Sequence, residues 1–471
     1  MPYMSTISPS NGISFEAHTP VLVIGGGACG LTAALKAHDT GADVVVLERD
    51  AQPAGSTAMS SGFIPATGTR CQLAANLEQP DSADILASDI LAKSKHLADD
   101  KLVRLATQTI GPVMDWLESA HDIEWLLLKD FLYPGHTRHR MHATPEKTGV
   151  GLMTRLGQAA DAAGIALMTD AHVTELFVDD ERIRGVAVTR PGGAVEHISC
   201  DALILACNGY GGNRELVAEH IPALADAPYY GHAGNQGDAL LWGRALNAEL
   251  KHLTGCQGHG SLAHPHGILI TWALMMEGGF QVNTQGCRFS NEHQGYSEQS
   301  VAVLAQPDGV AWNIIDQRLY DFAKSFPDFQ QAIDAGAVKS AATIEELAQS
   351  IDVPLLTLQD TIAEARTCQG GAQADPFGRD FTSQPALEAP YFAIKVTGAL
   401  FHTQGGLNID AHARVLRADG TPLPNVFAGG GAACGVSGPD ISGYLSGNGL
   451  LTALAFGALA GEFAARQASQ S

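Results

Sequence analysis

A glycine-rich turn and a distant acidic residue have the types and spacing of a site for phosphate and ribose. Gly25, Gly27 and Gly30 follow a valine-rich run. The first glycine permits a tight turn, the second admits a pyrophosphate close to the backbone, and the third lets a helix lie on the strand. Glu48 follows about 20 residues later, where its carboxylate accepts hydrogen bonds from a ribose diol and repels a 2′-phosphate. The pattern predicts a bound dinucleotide with an unphosphorylated adenosine ribose.

A strand–helix–strand unit has to hold this turn. Residues 21–24 and 44–47 are apolar runs typical of buried strands, and the stretch between them has a helical pattern that ends at Gly41. The N-terminus of that helix then faces the phosphates. Later strand-to-glycine passages, at residues 203–213 and 425–431, suit other edges of the same cofactor.

Composition limits the possible functions. The chain of 471 residues is longer than one hydrophobic core usually covers, so two domains are expected, and an insertion of one in the other is among the arrangements this length allows. Its apolar fraction of 45% is enough for such cores. Its net charge of −22 argues against nucleic acid or an anionic membrane surface as a partner. The eight cysteines form no C-x-x-C pair, as in a reduced, cytoplasmic protein. Residues 1–20 lack a signal pattern. The apolar run 450–460 is too short to span a bilayer, so we expect a packed helix and no stable membrane insertion.

A cluster of basic side chains interrupts the first half of the chain. It consists of His136, Arg138, His139, Arg140 and His142. No carboxylates or thiols are spaced as partner ligands, so we expect no metal site. The pattern favours a solvated loop or a lid that faces an anion.

The order of these motifs resembles that of the flavoproteins that include fumarate reductase, succinate dehydrogenase and the 3-ketosteroid dehydrogenases. The resemblance covers nearly the whole chain from Pro20. It rests on the turn with Glu48 and on the segments 55–62, 205–213, 237–238, 282–292, 403–406 and 425–449. It implies an α/β fold in which residues 1–253 and 404–471 form a Rossmann-like FAD-binding domain. Residues 254–403 would form an inserted α+β cap domain with catalytic groups.

The resemblance also implies FAD as the cofactor. Succinate dehydrogenases attach the flavin through a histidine in the segment that matches residues 55–62, and this chain has none there, so we expect non-covalent FAD. Gly431 stands where the family often has an acid, and a backbone contact would replace its bond to the ribityl chain. The residues implied to hold the cofactor are Gly25, Gly27, Ala28, Cys29, Gly30, Glu48, Arg49, Gly55, Ser56, Thr57, Ser61, Gly62, Val173, Ala206, Asn208, Gly209, Asp238, Gly430, Ser446, Asn448, Gly449 and Leu450.

Two tyrosines stand where fumarate reductases carry the arginines that deliver the proton and hold a carboxylate. They are Tyr296, eight residues after Arg288, and Tyr444, just before the last glycine–asparagine–glycine segment. Trp272 and Met275 replace the glutamate and arginine that relay protons in those reductases. A proton path to a dicarboxylate is therefore not expected.

Tyrosines at both places resemble the 3-ketosteroid dehydrogenases. Tyr444 with Ser446 two residues on is most similar to the subgroup that acts on the C4–C5 bond of saturated A rings. Removing hydrogens α and β to a ketone needs a donor at the carbonyl oxygen, a base for the α proton and a flavin N5 for the hydride. We predict Tyr296 as the α-proton base, Tyr444 at the carbonyl or sharing the base role, and Ser446 as an assisting group.

Three polar residues indicate a polar or carboxylate-bearing end to the substrate. His259, Thr271 and His402 fall where fumarate reductases bind substrate carboxylates. The expected substrate is a cyclic ketone or keto acid, either 3-ketosteroid-like or a smaller ring. The smaller ring, such as an oxocyclohexane carboxylate, satisfies both signals. The alternative is a soluble ene-reductase that acts on an unsaturated carboxylic acid. A flavin-binding scaffold without turnover is disfavoured. Without haem or iron–sulfur cysteine motifs, electrons are expected to leave to a separate acceptor.

Overall fold

The computed structural model describes residues 6–129 and 132–470. Its strands, numbered β1 to β20 in chain order, are Thr6–Pro9, Ala17–Ile24, Val44–Leu47, Ile64–Pro65, Leu126–Leu128, Met141–Ala143, Ala166–Met168, His172–Asp179, Arg182–Thr189, Val195–Leu205, Leu250–Lys251, Cys256–Ala263, Ile268–Leu269, Phe280–Val282, Val310–Asp316, Val338–Ala341, Tyr391–Thr403, Gly406–Leu407, Arg414–Leu416 and Pro422–Ala428. Its α-helices, numbered α1 to α15, are Ala28–Asp39, Gly55–Ala58, Arg70–Ala74, Ala83–Lys93, Asp100–His121, Gly149–Ala162, Arg214–His220, Asp238–Ala245, Ala273–Met276, Tyr296–Leu304, Gln317–Ala323, Pro327–Asp334, Ile344–Ile351, Leu355–Gln369 and Asn448–Ala468.

The chain divides into two compact units. Unit 1 consists of Met1–Ile221, Gly231–Cys256 and His402–Ser471, and unit 2 consists of Pro222–Tyr230 and Gln257–Phe401. Unit 1 therefore takes its residues from both ends of the chain, and unit 2 is the insertion. Each unit has its own apolar core. Domain boundaries after residues 253 and 403 stay a prediction.

A nine-stranded sheet organises unit 1. Its strand order is β1-β8-β9-β10-β2-β3-β7, with β20 paired to β10 and β19 paired to β20. The pairs β10–β2, β2–β3 and β10–β20 are parallel, and Ile24 lies level with Leu47 and Leu205, which in turn lies level with Ala428. Four strands thus end at one edge of the sheet. The three predicted strand-to-glycine passages and Glu48 meet at that edge, as a doubly wound dinucleotide fold requires.

Close packing of α1 against α15 completes the core of unit 1. A Cβ on Gly457 would lie 2.6 Å from the Cys29 carbonyl oxygen, and one on Gly461 would collide with the Ala33 carbonyl oxygen. Helix α15 has 21 residues, and by length and composition it could cross a membrane. However, 72% of its most apolar window is buried inside the protein. This burial agrees with the predicted packed helix, which is longer than the apolar run 450–460.

Unit 2 contains a six-stranded sheet. Its order is β13-β12-β17-β15-β14, with β16 also paired to β17. The pairs β12–β13, β14–β15, β15–β17 and β16–β17 are antiparallel. All seven residues of β15 are buried, as expected of a central strand covered on both faces. Helices α9 to α14 accompany this sheet, which gives the α+β composition predicted for the insertion.

The basic cluster at residues 136–142 is only in part the solvated loop that its composition suggests, since Arg138 and His139 are half-buried and the other three members are buried. Arg140 and His142 are fully buried and His136 is 5% exposed. The Arg140 guanidinium donates to both Asp81 and Asp89, at 2.9 and 2.6 Å. Two carboxylates distant in the sequence therefore neutralise Arg140. Local composition does not show this pairing, so it did not predict that Arg140 is buried.

Candidate active site

The glycine turn after β2 has one open position between two crowded ones. A Cβ on Gly25 would lie 2.5 Å from the Ala206 carbonyl oxygen, and one on Gly30 would collide with the Gly25 carbonyl oxygen. A Cβ on Gly27 would meet nothing closer than Thr57 Oγ1, at 3.8 Å. Packing therefore requires Gly25 and Gly30, whereas the space beside Gly27 is open to a ligand.

The Glu48 carboxylate lies directly beside this turn. Its Oε2 accepts from Gly26 N at 2.8 Å and its Oε1 accepts from Asp50 N at 3.0 Å. Glu48 is 7% exposed, and no ion pair joins it to a cation in the described residues. An ionised carboxylate has about four acceptor positions. Two are used here, so the remaining capacity suits a ribose diol.

Other segments of unit 1 close around the same turn. Thr57 Oγ1 accepts from Ala28 N at 3.3 Å, which brings α2 to the start of α1. A Cβ on Gly430, which lies after β20, would be 3.1 Å from Cys29 Cβ. Ala171 N, which lies just before β8, donates a 2.8 Å hydrogen bond to the Glu48 carbonyl oxygen.

All residues predicted to hold the cofactor lie in unit 1. They are Gly25, Gly27, Ala28, Cys29 and Gly30 after β2; Glu48 and Arg49 after β3; Gly55, Ser56, Thr57, Ser61 and Gly62 in and after α2; Val173 on β8; Ala206, Asn208 and Gly209 after β10; Asp238 at the start of α8; Gly430 after β20; and Ser446, Asn448, Gly449 and Leu450 at the start of α15. Asn448 Oδ1 is buried and has no hydrogen-bond partner in the described chain. An unpaired acceptor, an open glycine and an unneutralised carboxylate fit a dinucleotide whose hydroxyls donate hydrogen bonds.

Tyr444 places a buried hydroxyl close to the start of α15. The residue is 6% exposed, and burial raises the pKa of its hydroxyl to about 12. The backbone N–H groups of Gly449 and Gly447 act in the opposite direction and lower that pKa in part. The hydroxyl consequently keeps its proton through the physiological range, and it can donate a hydrogen bond next to two backbone donors.

Ser446 lies two residues further on and is 4% exposed. Its carbonyl oxygen accepts a 2.9 Å hydrogen bond from His136 Nε2. Burial lowers the pKa of His136 to about 4, so the ring is neutral and the proton on Nε2 serves this bond. The buried His136 side chain therefore holds the turn between Tyr444 and α15.

His402, also in unit 1, has both ring nitrogens engaged. Nε2 lies 3.0 Å from Asn208 Oδ1, and Nδ1 lies 2.7 Å from Gln404 Nε2. Burial lowers the pKa of His402 to about 4. A substrate carboxylate could bind His402 only by displacing one of these hydrogen bonds, which would cost the free energy of that bond. The role of His402 in substrate binding stays a prediction.

In unit 2, His259 lies between two aromatic rings. Tyr296 stacks on it with centroids 5.0 Å apart, Phe401 stacks with centroids 5.1 Å apart, and Trp272 meets it edge-on at 5.8 Å. His259 Nδ1 accepts from Ser261 N at 3.1 Å. Burial lowers the pKa of His259 to about 3. The ring is therefore neutral, and its proton is on Nε2.

The glycines on either side of His259 allow this arrangement. A Cβ on Gly258 would collide with Ser300 Oγ, and one on Gly260 would lie 2.7 Å from the side chain of Gln299. Gly258 N also donates to Ser297 Oγ at 2.9 Å. Helix α10, which begins at Tyr296, therefore lies directly on β12. The alternating glycines at 258 and 260 are the sequence signal for this contact.

Thr271 is the third predicted substrate residue. Its Oγ1 accepts from Ala273 N at 3.4 Å, and its hydroxyl proton is then directed elsewhere. Tyr296, His259 and Thr271 belong to unit 2, whereas Tyr444, Ser446 and His402 belong to unit 1. The structure thus groups the six predicted residues into two sets of three.

The arginines of unit 2 are committed to protein acceptors. Arg288 pairs with Glu292 and Asp375, and Arg379 pairs with Glu292. Arg318 donates to the Glu277 carbonyl oxygen and Arg366 donates to the Tyr391 hydroxyl. Within the described residues of unit 2, each arginine already has a protein partner. A dicarboxylate substrate would therefore have to compete with these protein acceptors for the arginines.

A doubly wound sheet with a dinucleotide turn and an inserted α+β unit defines an FAD-binding flavoprotein. Residues 20–450 match the family described as the FAD binding domain, and the chain belongs to that family. It is an FAD-dependent oxidoreductase of the fumarate reductase family, with FAD as its cofactor.

Similar proteins include both fumarate reductases and ketone dehydrogenases. The chain is 29% identical over 455 residues to the probable fumarate reductase Ifc3 of Shewanella frigidimarina, covering 96% of this chain and 75% of that protein. It is 25% identical over 565 residues to 4-oxocyclohex-2-ene-1-carboxylate 5-dehydrogenase of Sinomonas cyclohexanicum, covering 95% and 94%. The 3-ketosteroid Δ4-(5α)-dehydrogenase of Rhodococcus jostii RHA1, solved with 4-androstene-3,17-dione, shares the fold with a TM-score of 0.77 at 24% identity over 98% of this chain and all of that one.

Proposed function

We propose that the protein is a ketone α,β-dehydrogenase. It removes two hydrogens from a saturated cyclic ketone or keto acid and leaves a C=C bond next to the carbonyl group. A separate carrier then takes the electrons. One observation carries the proposal: the buried Tyr444 hydroxyl keeps its proton and lies beside the backbone donors of Gly447 and Gly449.

Such a hydroxyl suits the carbonyl oxygen of the substrate. Loss of the α proton shifts negative charge onto that oxygen, and preorganised donors stabilise this charge most when they are shielded from water. The N-terminus of α15 adds to the stabilisation. Because burial keeps Tyr444 protonated, we assign it the donor role and leave the base role to Tyr296.

Tyr296 receives the α proton in this proposal, in its deprotonated form. Its neighbour His259 is neutral and carries its proton on Nε2. The β hydrogen leaves with the electron pair of its C–H bond, and the electrons of the α C–H bond form the new C=C bond. Bound FAD supplies the two-electron acceptor for the hydride. Ser446 assists by holding the turn after Tyr444.

The substrate class follows from the charges of the site. The two histidines are neutral and the arginines of unit 2 are already paired with protein acceptors, so the site suits an uncharged ketone oxygen. The name of the Sinomonas relative supports an oxocyclohexane-type ring. The neutral donors on His259 and Thr271 leave room for one carboxylate at the other end. Those same donors, together with the 29% identity to a fumarate reductase, favour the second candidate, an ene-reductase for an unsaturated acid.

Replacing each tyrosine by phenylalanine tests the proposal. Tyr444→Phe and Tyr296→Phe should retain FAD yet slow anaerobic flavin reduction by a saturated ketone at least about a hundredfold. Tyr320→Phe is the matched control, because Tyr320 is a half-buried tyrosine that packs against the core of unit 2 and stacks on Phe392, and its rate should not change. Unchanged rates in the first two variants would refute the assignment.

A further inference from the structure

Five polar side chains form one continuous hydrogen-bonded chain in unit 1, which we call the His402 relay. Asn448 Nδ2 donates to Ser437 Oγ at 2.9 Å, and Ser437 Oγ donates to Gln404 Oε1 at 2.9 Å. Gln404 Nε2 then lies 2.7 Å from His402 Nδ1, and His402 Nε2 lies 3.0 Å from Asn208 Oδ1. The relay joins four segments of the chain, two of which, at Ser437 and Asn448, are eleven residues apart.

The direction of the relay is set by a backbone group at one end and by the neutral ring of His402. Gly209 N donates to Asn208 Oδ1 at 2.8 Å. A backbone N–H only donates, so the Asn208 atom at this point must be the carbonyl oxygen. His402 Nε2 must then supply the proton of its bond to Asn208. Since a neutral imidazole carries one N–H, His402 Nδ1 is an acceptor and takes the proton of Gln404 Nε2.

The Tyr444 hydroxyl and two groups of the relay approach the same point beside Gly449. A Cβ built on Gly449 would lie 3.8 Å from Tyr444 Oη, 4.0 Å from Gln404 Nε2 and 4.0 Å from His402 Nδ1. Tyr444 Oη and His402 Nδ1 are thus no more than about 8 Å apart, a distance at which a charge on His402 would still act on Tyr444. A positive charge on the imidazole would favour the Tyr444 phenolate and would also attract a substrate carboxylate.

We propose that Gln404 is a positioning residue that keeps His402 neutral and protonated on Nε2, so that this side of the site receives an uncharged ketone oxygen rather than a carboxylate. The tautomer of His402 depends on the relay alone, whereas the preference for a ketone substrate rests on the proposed function. Burial is the cause of the lowered pKa of His402.

Histidine-selective ¹⁵N spectra of the FAD-loaded protein without substrate test the relay. The His402 signal is identified by its loss in His402→Gln. We expect a neutral ring protonated on Nε2 from pH 5.5 to 8.5. A His402 ring that titrates near pH 6.5, or that carries its proton on Nδ1, would overturn the proposal.

Variants of Gln404 extend the test. A carboxylate only accepts, so in Gln404→Glu the His402 Nδ1 must carry a proton and the ring should become an imidazolium. Anaerobic reduction by a ketone should then slow by about tenfold to a hundredfold, with Gln369→Glu as the control. In Gln404→Met, Nδ1 loses its donor and its ¹⁵N signal should move to that of an unbonded nitrogen. If neither variant changes the His402 signals, Gln404 has no such role. Because the spectra need no substrate, an inactive ketone panel would refute the proposed function without touching this result.

Discussion

At the scale of single residues, surroundings rather than residue type decide which group donates and which accepts a proton. Tyr296 and Tyr444 are equivalent by type, and the sequence left open which of them acts at the carbonyl. Burial with two neighbouring backbone N–H groups favours Tyr444 as the donor. His259 and His402 resemble carboxylate anchors by position, yet both are neutral in the structure.

Glu48 offers a test of the cofactor site. Glu48→Gln should weaken FAD binding by about tenfold to a hundredfold, because hydrogen bonds to a charged acceptor contribute about 1.5–3 kcal/mol. Titration of the apoprotein with FAD, followed by flavin fluorescence, measures the change. Glu146→Gln removes a carboxylate paired with Arg155 outside the glycine turn and should leave the dissociation constant unchanged. Equal constants for Glu48→Gln and the parent would place the ribose elsewhere.

At the scale of secondary structure, the dinucleotide unit was predictable and the polar contacts were not. Residues 44–47 are a strand as expected, because a strand buried in a parallel sheet is a continuous apolar run. The strand-like run at residues 123–126 shares only its last residue with β5, Leu126–Leu128, since short apolar runs define the ends of strands poorly. The His402 relay and the pairing of Arg140 could not be predicted, because each joins residues whose sequence separation carries no local pattern.

The contact between α1 and α15 gives a prediction about stability. Gly461→Ala should lower the free energy of unfolding by about 1–3 kcal/mol, because the added methyl group collides with the Ala33 carbonyl oxygen. Gly157→Ala is the matched helical control on α6, where a Cβ meets nothing within 4 Å. The control should be neutral or stabilising by up to about 1 kcal/mol. Urea unfolding of both variants measures the difference, and equal destabilisation would contradict the packing argument.

At the scale of the whole molecule, the candidate catalytic groups are divided between two units. Unit 1 contains the cofactor residues and Tyr444, and unit 2 contains Tyr296, His259 and Thr271. The resemblance predicted an inserted α+β unit because its motifs occur on both sides of the insertion. The charge pattern of unit 2 was not predictable, because a formal count of arginines does not show which carboxylates pair with them.

Buried neutral histidines should make the protein sensitive to mild acid. Burial lowers the pKa of His136 and His142 to about 4 and that of His259 to about 3, from an ordinary value of 6.5. Above pH 6.5 these rings are neutral in both states. Below it, the unfolded chain takes up protons that the folded chain refuses, so stability falls as the pH decreases toward 4.

Each such ring should contribute a slope of roughly 1.4 kcal/mol per pH unit. Urea unfolding between pH 7 and pH 5 measures this slope. His259→Gln removes one of these rings and should reduce the slope by the contribution of one ring, roughly 1.4 kcal/mol per pH unit. A free energy of unfolding that is constant over this range, or that rises as the pH falls, would show that these rings are protonated in the folded protein.

The direction of the flavin reaction tests the central claim most directly. The oxidised protein is mixed without oxygen with saturated cyclic ketones, oxocyclohexane carboxylates and succinate, and the visible flavin absorbance is followed. We predict bleaching by a ketone or keto acid and none by succinate. If no saturated compound bleaches the flavin, while an unsaturated acid reoxidises the dithionite-reduced protein, the protein is an ene-reductase and the dehydrogenase account is wrong.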